Sequence, residues 1–322
     1  LLPPESPNGW KVRTLGDDMA WLHVDETGQL RAINPESGYF GVVPGTNEKT
    51  NRNAFDMIKH DAIFTNVAVT ANNEPWWEGK DDDQPVTDWQ GRAVNGSGEP
   101  AAHPNSRFTV SASQNPCYSP LADDPAGVPI SAIIFGGRRR ELAPLVYEAK
   151  DWNHGVLIGA SVASETTAAA AGKVGVTRRD PMAMKPFCGY NFADYWGHWL
   201  SFAARADVLP RIFHVNWFRQ DDDGRFLWPG FGENLRVMRW IIDRCANRAE
   251  AQDTPIGYLP KPEDLDLSGL DVDDSTLEQL LTVDTAAWRQ EMEAVGQYFD
   301  EYEQRVPELL AAEHQKILSA LK

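Results

Sequence analysis

Cysteine is scarce, with 3 in 322 residues. Cys117, Cys188 and Cys245 stand far apart without the close pairing of a zinc site, and their odd number suits a reducing compartment better than a disulfide framework. Each reads as a small buried apolar residue. No uninterrupted apolar run approaches the roughly 18 residues of a membrane span. The opening "LLPPESPNGW" has no initiator methionine, no charged leader and no cleavage-site pattern. The expectation is a cytoplasmic chain without a membrane partner, whose first residues read as if a longer chain had been cut there. Basic residues are the minority, 30 against 47 acidic for a net charge of −17. A nucleic-acid backbone is therefore repelled overall, while local basic clusters can still hold small anions. HExxH, GxSxG and CxxC are absent, which removes the residues that zinc peptidases, α/β-hydrolases and zinc ribbons need. "GTNEKT", residues 45–50, fails as a phosphate cradle because Glu48 sits where a P-loop needs glycine, so it reads as a Gly/Asn turn.

What is present is ample core material, 42% hydrophobic residues, arranged with strands first and helices last. "KVRTL", "AWLHVD", "QLRAI" and "IFTNVAVT" read as strands, the middle two joined at "ETG" as a hairpin. Residues 71–126 are rich in Asn, Asp, Gly and Pro, the mark of irregular functional loops. "VPISAIIFGG" and "PRIFHVNWF" read as buried strands. Leu235, Met238, Ile241, Ile242 and Cys245 mark a helix with Asn234 as its N-cap. "STLE" matches a capping box at Ser275 and Glu278. Trp288, Met292, Val295, Phe299 and Tyr302 form an apolar stripe, and Pro307 restarts a final helix. The fold class is mixed α/β (α+β) with a helical C-terminus. Residues 1–250 read as one mixed α/β lobe, and 251–322 as a helical segment packed on it.

Four stretches carry chemistry. In "LGDDMAWL" the adjacent Asp17 and Asp18 repel each other, so they need a cation, donors or open water to stay ionised; a solvated turn and a metal site both satisfy that. "FGGRRREL" follows two glycines, which let backbone approach an anion, with Arg138, Arg139 and Arg140, whose forks match phosphate; a solvated basic loop is the alternative. "HPNSRFTV" adds Asn105, Ser106 and Arg107 on a proline-fixed loop. "ASETTAAAAGKVG", residues 163–175, is either a short Ala-rich helix or a mobile lid. Trp217, Phe218, Phe226, Trp228 and Phe231 are dense enough for core, yet the interleaved Pro229, Gly230 and Gly232 also suit a slot in which a purine stacks.

Together "LGDDMAWL", "AINPESGYFGVVPGTN", "HPNSRF", "IIFGGRRR", "DWNHGVLIGA", "KPFCGYNFADYWGHWL" and "NWFRQDDDGRFLWPGFGEN" closely resemble the GTP-dependent phosphoenolpyruvate carboxykinase family, in order from near residue 10 to about 260. The resemblance implies the C-terminal, nucleotide-binding lobe of that fold. It also implies the reaction of oxaloacetate and GTP to phosphoenolpyruvate, GDP and carbon dioxide, in gluconeogenesis. The active-site cofactor it implies is manganese, with magnesium or manganese on GTP, and the complete enzyme is expected to be a monomer. Asp18 resembles the manganese ligand, and Asp17 its outer-sphere neighbour toward the nucleotide metal. Arg107 resembles the catalytic arginine between substrate and transferring phosphoryl group, with Asn105 and Ser106 in the substrate loop. Arg138 resembles the γ-phosphate arginine. Trp217, Phe218, Phe226 and Phe231 resemble the guanine pocket, and Gly232, Glu233 and Asn234 the loop at the base edge. Ser164, Glu165, Thr166, Thr167, Gly172 and Lys173 fall in the position of the family's lid. In the family, the phosphate loop and the other manganese and substrate ligands lie upstream of "LLPPESPNGW", so this chain alone is expected to have negligible turnover. Two readings from other classes remain: a non-catalytic guanine-nucleotide-binding module, and an extracellular sugar-binding β-domain suggested by 12 Trp and Asn-rich loops.

Overall fold

Alternating strands and short turns dominate the first 130 residues. In the computed structural model, residues 9–80, 84–96, 98–166 and 175–322 are described. The chain divides into two compact units, Leu1–His23 with Arg31–Pro129, and Val24–Leu30 with Ile130–Lys322.

The first unit is built on an antiparallel sheet with Arg107–Ser111 in the middle, Gly38–Val42 on one side and Ala62–Thr65 on the other. Phe108 and Val110 are buried on one face with Tyr39, Val43 and Trp77. The period-2 pleat puts Phe40, Ile63 and Thr109 on the opposite face, where Phe40 and Ile63 are exposed. Helix Arg52–Met57 adds Ala54 and Met57 to the core and is capped by Asn51, whose side chain accepts the Ala54 N–H. The "GTNEKT" segment is a turn: Asn47 Oδ1 accepts the Lys49 and Thr50 N–H groups. Three strand expectations are revised. "KVRTL" makes a single bridge, Thr14 to Tyr118. "IFTNVAVT" is two strands, Ala62–Thr65 and Ala68–Thr70, because Asn66 takes φ +59 between them, a left-handed turn that Asn tolerates. "VPISAIIFGG" likewise splits, with Val128–Pro129 pairing to Arg31 and Ala32, and Ala132–Gly136 entering another sheet. The hairpin turn at "ETG" is present: Asp25 Oδ1 accepts the N–H groups of Thr27 and Gln29, and Gly28 supplies φ +76.

The second unit is organised by a five-stranded mixed sheet in the order Ala132–Gly136, Arg211–Val215, Val146–Glu148, Gly257–Leu259, Gln252–Thr254, of which the first pair is parallel. Phe213 and Val215 face a core with Val237, Trp240 and Ile241 of helix Asn234–Cys245. Ile212 faces the other way against helix Trp152–Ala160, where only a glycine fits: a Cβ on Gly155 would lie 2.3 Å from Ile212 Cδ1. Asp151 caps that helix by accepting the His154 N–H. The C-terminal helices are Asp274–Leu281, Thr285–Asp300 and Glu308–Ala320. Trp288, Met292, Val295 and Phe299 are the buried stripe, while Tyr302 lies just past the helix end. Two caps differ from expectation. Asp273, not Ser275, caps Asp274–Leu281 by accepting the Thr276 N–H, the stronger acceptor lying two residues earlier. Asn234 is already helical, because a 3-10 turn over Phe231–Glu233 precedes it; its Oδ1 accepts from Trp228 Nε1 instead. Residues 163–165 are a strand, Ala163–Glu165, paired antiparallel with Thr177–Arg179, rather than the start of an Ala-rich helix. Among the described residues no helix is long and apolar enough to cross a membrane.

Candidate active-site groups

The two carboxylates of Asp17 and Asp18 sit on an exposed bend. A third acid shapes that bend: Glu36 Oε2 accepts the N–H of Asp18 at 2.8 Å and of Met19 at 3.0 Å. Asn34 holds Glu36 in turn, donating to its carbonyl and accepting its N–H. Gly16 is required by this packing, since a Cβ there would meet Asn34 Oδ1 at 2.4 Å. Asp17 Oδ2 accepts the Phe40 N–H at 2.9 Å. Partial burial raises the Asp17 carboxyl above its ordinary range, the Phe40 N–H opposes this, and Asp18 and Glu36 push it further up. Neutralising charge beside Asp17 is thus favourable, whether by a proton or by a cation.

Phe40 connects this bend to the arginine. Its exposed ring lies under the Arg107 guanidinium at 5.3 Å, and Arg107 Nε donates to Asn105 Oδ1 at 3.0 Å. Asn105 N–H donates to His103 Nδ1. Ser106 is fully buried, its Oγ without a partner among the described residues, while its backbone bonds His103 and Val43. Asp17, Phe40, Asn105 and Arg107 thus form one connected group at the end of the strand Arg107–Ser111.

In the second unit the strand Ala132–Gly136 delivers three arginines with different employment. Gly137 passes so close to the next segment that a Cβ would be 2.2 Å from the Ala163 carbonyl oxygen. Arg138 N–H donates to Ser164 Oγ and its Nε to the Glu165 carbonyl; among the described residues no carboxylate pairs with it. Arg139 makes a two-pronged pair with Glu291, and Arg140 pairs with Glu165. Thr166 bonds Val176 and Gly175 across the ladder. Thr167, Gly172 and Lys173 lie outside the described residues.

The aromatic segment is anchored to the same loop by Asn216, which is fully buried. Its Oδ1 accepts the N–H groups of Arg139 and Phe218, and its Nδ2 donates to the carbonyls of Arg139 and Ala143. Phe218 and Phe226 meet edge-to-face at 6.1 Å. Phe226 and Phe231 are 59% and 79% exposed, so both rings are accessible. Trp217 is half-buried against the core cluster that includes Trp228, and Glu233 is engaged by Arg236. Phe231 itself takes φ +52, between Gly230 and Gly232.

The phosphoenolpyruvate carboxykinase C-terminal P-loop domain family matches residues 1–320. The chain belongs to the GTP-dependent phosphoenolpyruvate carboxykinase family. Phosphoenolpyruvate carboxykinase (GTP) of Anaeromyxobacter sp. (strain K) is 52% identical over 325 residues, 100% of this chain and 54% of the relative. That of Chlamydia muridarum is 51% identical with the same coverage, and that of Neocallimastix frontalis 52% over 98% of this chain and 53% of its own. The chain spans about half the length of these carboxykinases. Three residues that hold the carboxykinase-like groups in place carried no sequence signal of their own: Glu36, Phe40 and Asn216. Glu36 and Phe40 lie inside the "AINPESGYFGVVPGTN" segment and Asn216 opens "NWFRQDDDGRFLWPGFGEN", so family likeness marked the stretches without marking the roles.

Proposed function

We propose that this chain is the nucleotide- and metal-binding portion of an enzyme that converts oxaloacetate and GTP to phosphoenolpyruvate, GDP and carbon dioxide. The observation that carries the reading is the Phe40 junction, which gathers Asp17, Asn105 and Arg107 at one strand end in a chain of this family. Among the described residues no set of three His, Cys, Asp or Glu side chains is grouped to hold a metal ion. Asp17 and Asp18 nonetheless offer hard carboxylate oxygens on an exposed bend, a donor chemistry that fits manganese or magnesium with water filling the remaining positions. A bound divalent cation supplies positive charge for the enolate oxygen that loss of carbon dioxide leaves behind.

The residues of the chain do the rest. Asp18 would hold the cation directly, and Asp17, held by the Phe40 N–H, would stand beside it and add negative charge. Arg107, kept over the Phe40 ring and steadied by Asn105, places a fixed guanidinium against the oxygens that gain charge as the γ-phosphoryl group passes to the enolate oxygen and the bond to GDP breaks. Arg138, with its Nε held by backbone, leaves its terminal nitrogens for the γ-phosphate. Phe218, Phe226 and Phe231 stack on the guanine, and the turn Gly232–Asn234 faces its edge. Ser164, Glu165 and Thr166 form the base of a lid. The 251–322 segment packs with the nucleotide-binding groups as part of the same lobe.

Calorimetric titration with GDP, with ADP as control and with and without manganese chloride, tests this. Preference for GDP with tighter binding in manganese supports the reading. Equal binding of GDP and ADP, or of neither, overturns it, and GDP binding indifferent to manganese favours a non-catalytic nucleotide module instead.

A further inference from the structure

Glu291 stands in the middle of helix Thr285–Asp300, in the segment to which sequence assigned no chemistry. Its carboxylate, only 15% exposed, is shared by two guanidinium groups from distant parts of the chain. Arg139 reaches it from the arginine loop, with Nη1 and Nη2 on the two oxygens at 3.1 and 3.3 Å. Arg179 reaches it from the end of strand Thr177–Arg179, with Nη1 at 2.7 Å. That same Nη1 also donates to the Ser161 carbonyl, just ahead of the partner strand Ala163–Glu165. Burial opposes ionisation of Glu291, and Arg139 and then Arg179 more than offset it, so the carboxyl is held below its ordinary range.

The consequence falls on Arg138. It is the neighbour of Arg139 and makes three hydrogen bonds to Ser164 and Glu165, on the strand paired with the one that Arg179 ends. Both supports of Arg138, the loop that follows it and the ladder beside it, are therefore fastened to one carboxylate. Beside that carboxylate lies a cavity of about 450 Å³ lined by Arg139, Arg140, Glu165, Gly175, Thr177 and Glu291. An Arg139 released from Glu291 has room to swing there. The charge balance points the same way: Arg139 is answered by Glu291 and Arg140 by Glu165, so of the three successive arginines only Arg138 keeps an unanswered charge among the described residues.

We infer that Glu291 is a positioning residue for nucleotide phosphate: by holding Arg139 and Arg179 together it fixes the arginine loop against the Ala163–Glu165 ladder and leaves Arg138 alone aimed at the γ-phosphate. The inference rests on the proposed GTP-binding function, and it gives the C-terminal helix a part in recognising the phosphoryl group to be transferred. Two sites held through one shared partner should show coupled substitutions rather than additive ones.

The test is calorimetry of the full chain with GTP and with GDP in manganese chloride, for the unaltered chain, Glu291→Gln, Arg138→Ala and the double variant. Glu291→Gln should weaken GTP on the order of tenfold and GDP by less than about threefold, and it should add little once Arg138 is already alanine. Glu291→Asp, which keeps the charge but withdraws it by one methylene, should show the same selectivity at smaller size and serves if the glutamine variant does not fold. An equal loss for GTP and GDP, no loss, or additive effects with Arg138→Ala would each overturn the proposal while leaving the functional reading intact. Failure of the unaltered chain to bind either nucleotide would overturn both.

Discussion

Asp18, Gly137 and Phe40 illustrate three ways in which one residue can matter. The Asp18 carboxylate makes no hydrogen bond to any described residue, so folding does not lean on it. Asp18→Asn is expected to leave chain stability within about 0.5 kcal/mol in a urea titration, yet to abolish turnover in a complete enzyme assayed with manganese. Gly137→Ala acts in the reverse order. Its Cβ would collide with the Ala163 carbonyl oxygen at 2.2 Å, a backbone atom that cannot step aside, so the arginine loop and the ladder must part. A loss of about 2 kcal/mol on urea unfolding, accompanied by weaker GTP binding, is the expected outcome. Phe40→Leu keeps the N–H to Asp17 and removes only the ring beneath Arg107. Phosphoenolpyruvate affinity should then fall by the few-fold that about 0.5–1 kcal/mol of exposed cation–π contact represents. Asp18 and Gly137 were legible in the sequence, because "LGDDMAWL" and "IIFGGRRR" are contiguous motifs, whereas Phe40 carried no signal of its own. The partner of each was not: the Phe40 ring belongs to a strand paired with Arg107 only once the sheet has formed.

At the scale of elements, the helices from Asn234 onward were readable, whereas Arg52–Met57 and Trp152–Ala160 were not read as helices and the shortest strands left no signal. A stripe such as Trp288, Met292, Val295 and Phe299 runs through about three turns and leaves a periodic signal. A three-residue strand such as Ala163–Glu165 has no room for one, and its partner is supplied from Thr177–Arg179. Helix ends were read with less success, since several acceptors competed near each start: Asp273 took the role expected of Ser275, and a 3-10 turn displaced Asn234 into the helix. The cap of Thr285–Asp300 is unambiguous, with Asp284 accepting the Ala287 N–H at 3.0 Å. Asp284→Ala should cost about 1 kcal/mol, seen as a lower denaturation midpoint with unchanged cooperativity. Because that helix carries Glu291, fraying of its first turn should also weaken GTP binding slightly.

Over the molecule as a whole, two buried histidines tie stability to pH. Burial holds the imidazole of His214 down at about 4, with Arg139 adding to the effect. Burial does the same for His154, where Asp151 opposes it and Lys316 and Lys150 reinforce it. In the unfolded chain both take up protons near the ordinary 6.5. Between those values the unfolded state binds more protons than the native one, so acidification favours unfolding. Their contribution is complete above about pH 6.5 and drains away as pH falls toward 4, at up to about 1.4 kcal/mol per pH unit for each histidine. Urea titrations from pH 7 to 5 should show that decline, and His214→Gln should make it shallower while leaving the His154 share.

Sequence alone determined the family, the mixed strand-then-helix character and the motifs that carry carboxylates, arginines and aromatic rings. These are local properties, written in adjacent residues or in the period of a helix, and they survive without knowing where the chain returns. Tertiary structure alone decided which of three arginines keeps no carboxylate partner among the described residues, because Arg139 is claimed by Asn216 at a separation of 77 residues and by Glu291 at 152, and Arg140 by Glu165. It also decided that Phe40 serves the acid bend with its backbone and Arg107 with its ring. A hydrogen bond or ion pair between such distant residues depends on the closure of the chain between them, and no local pattern in either segment encodes it.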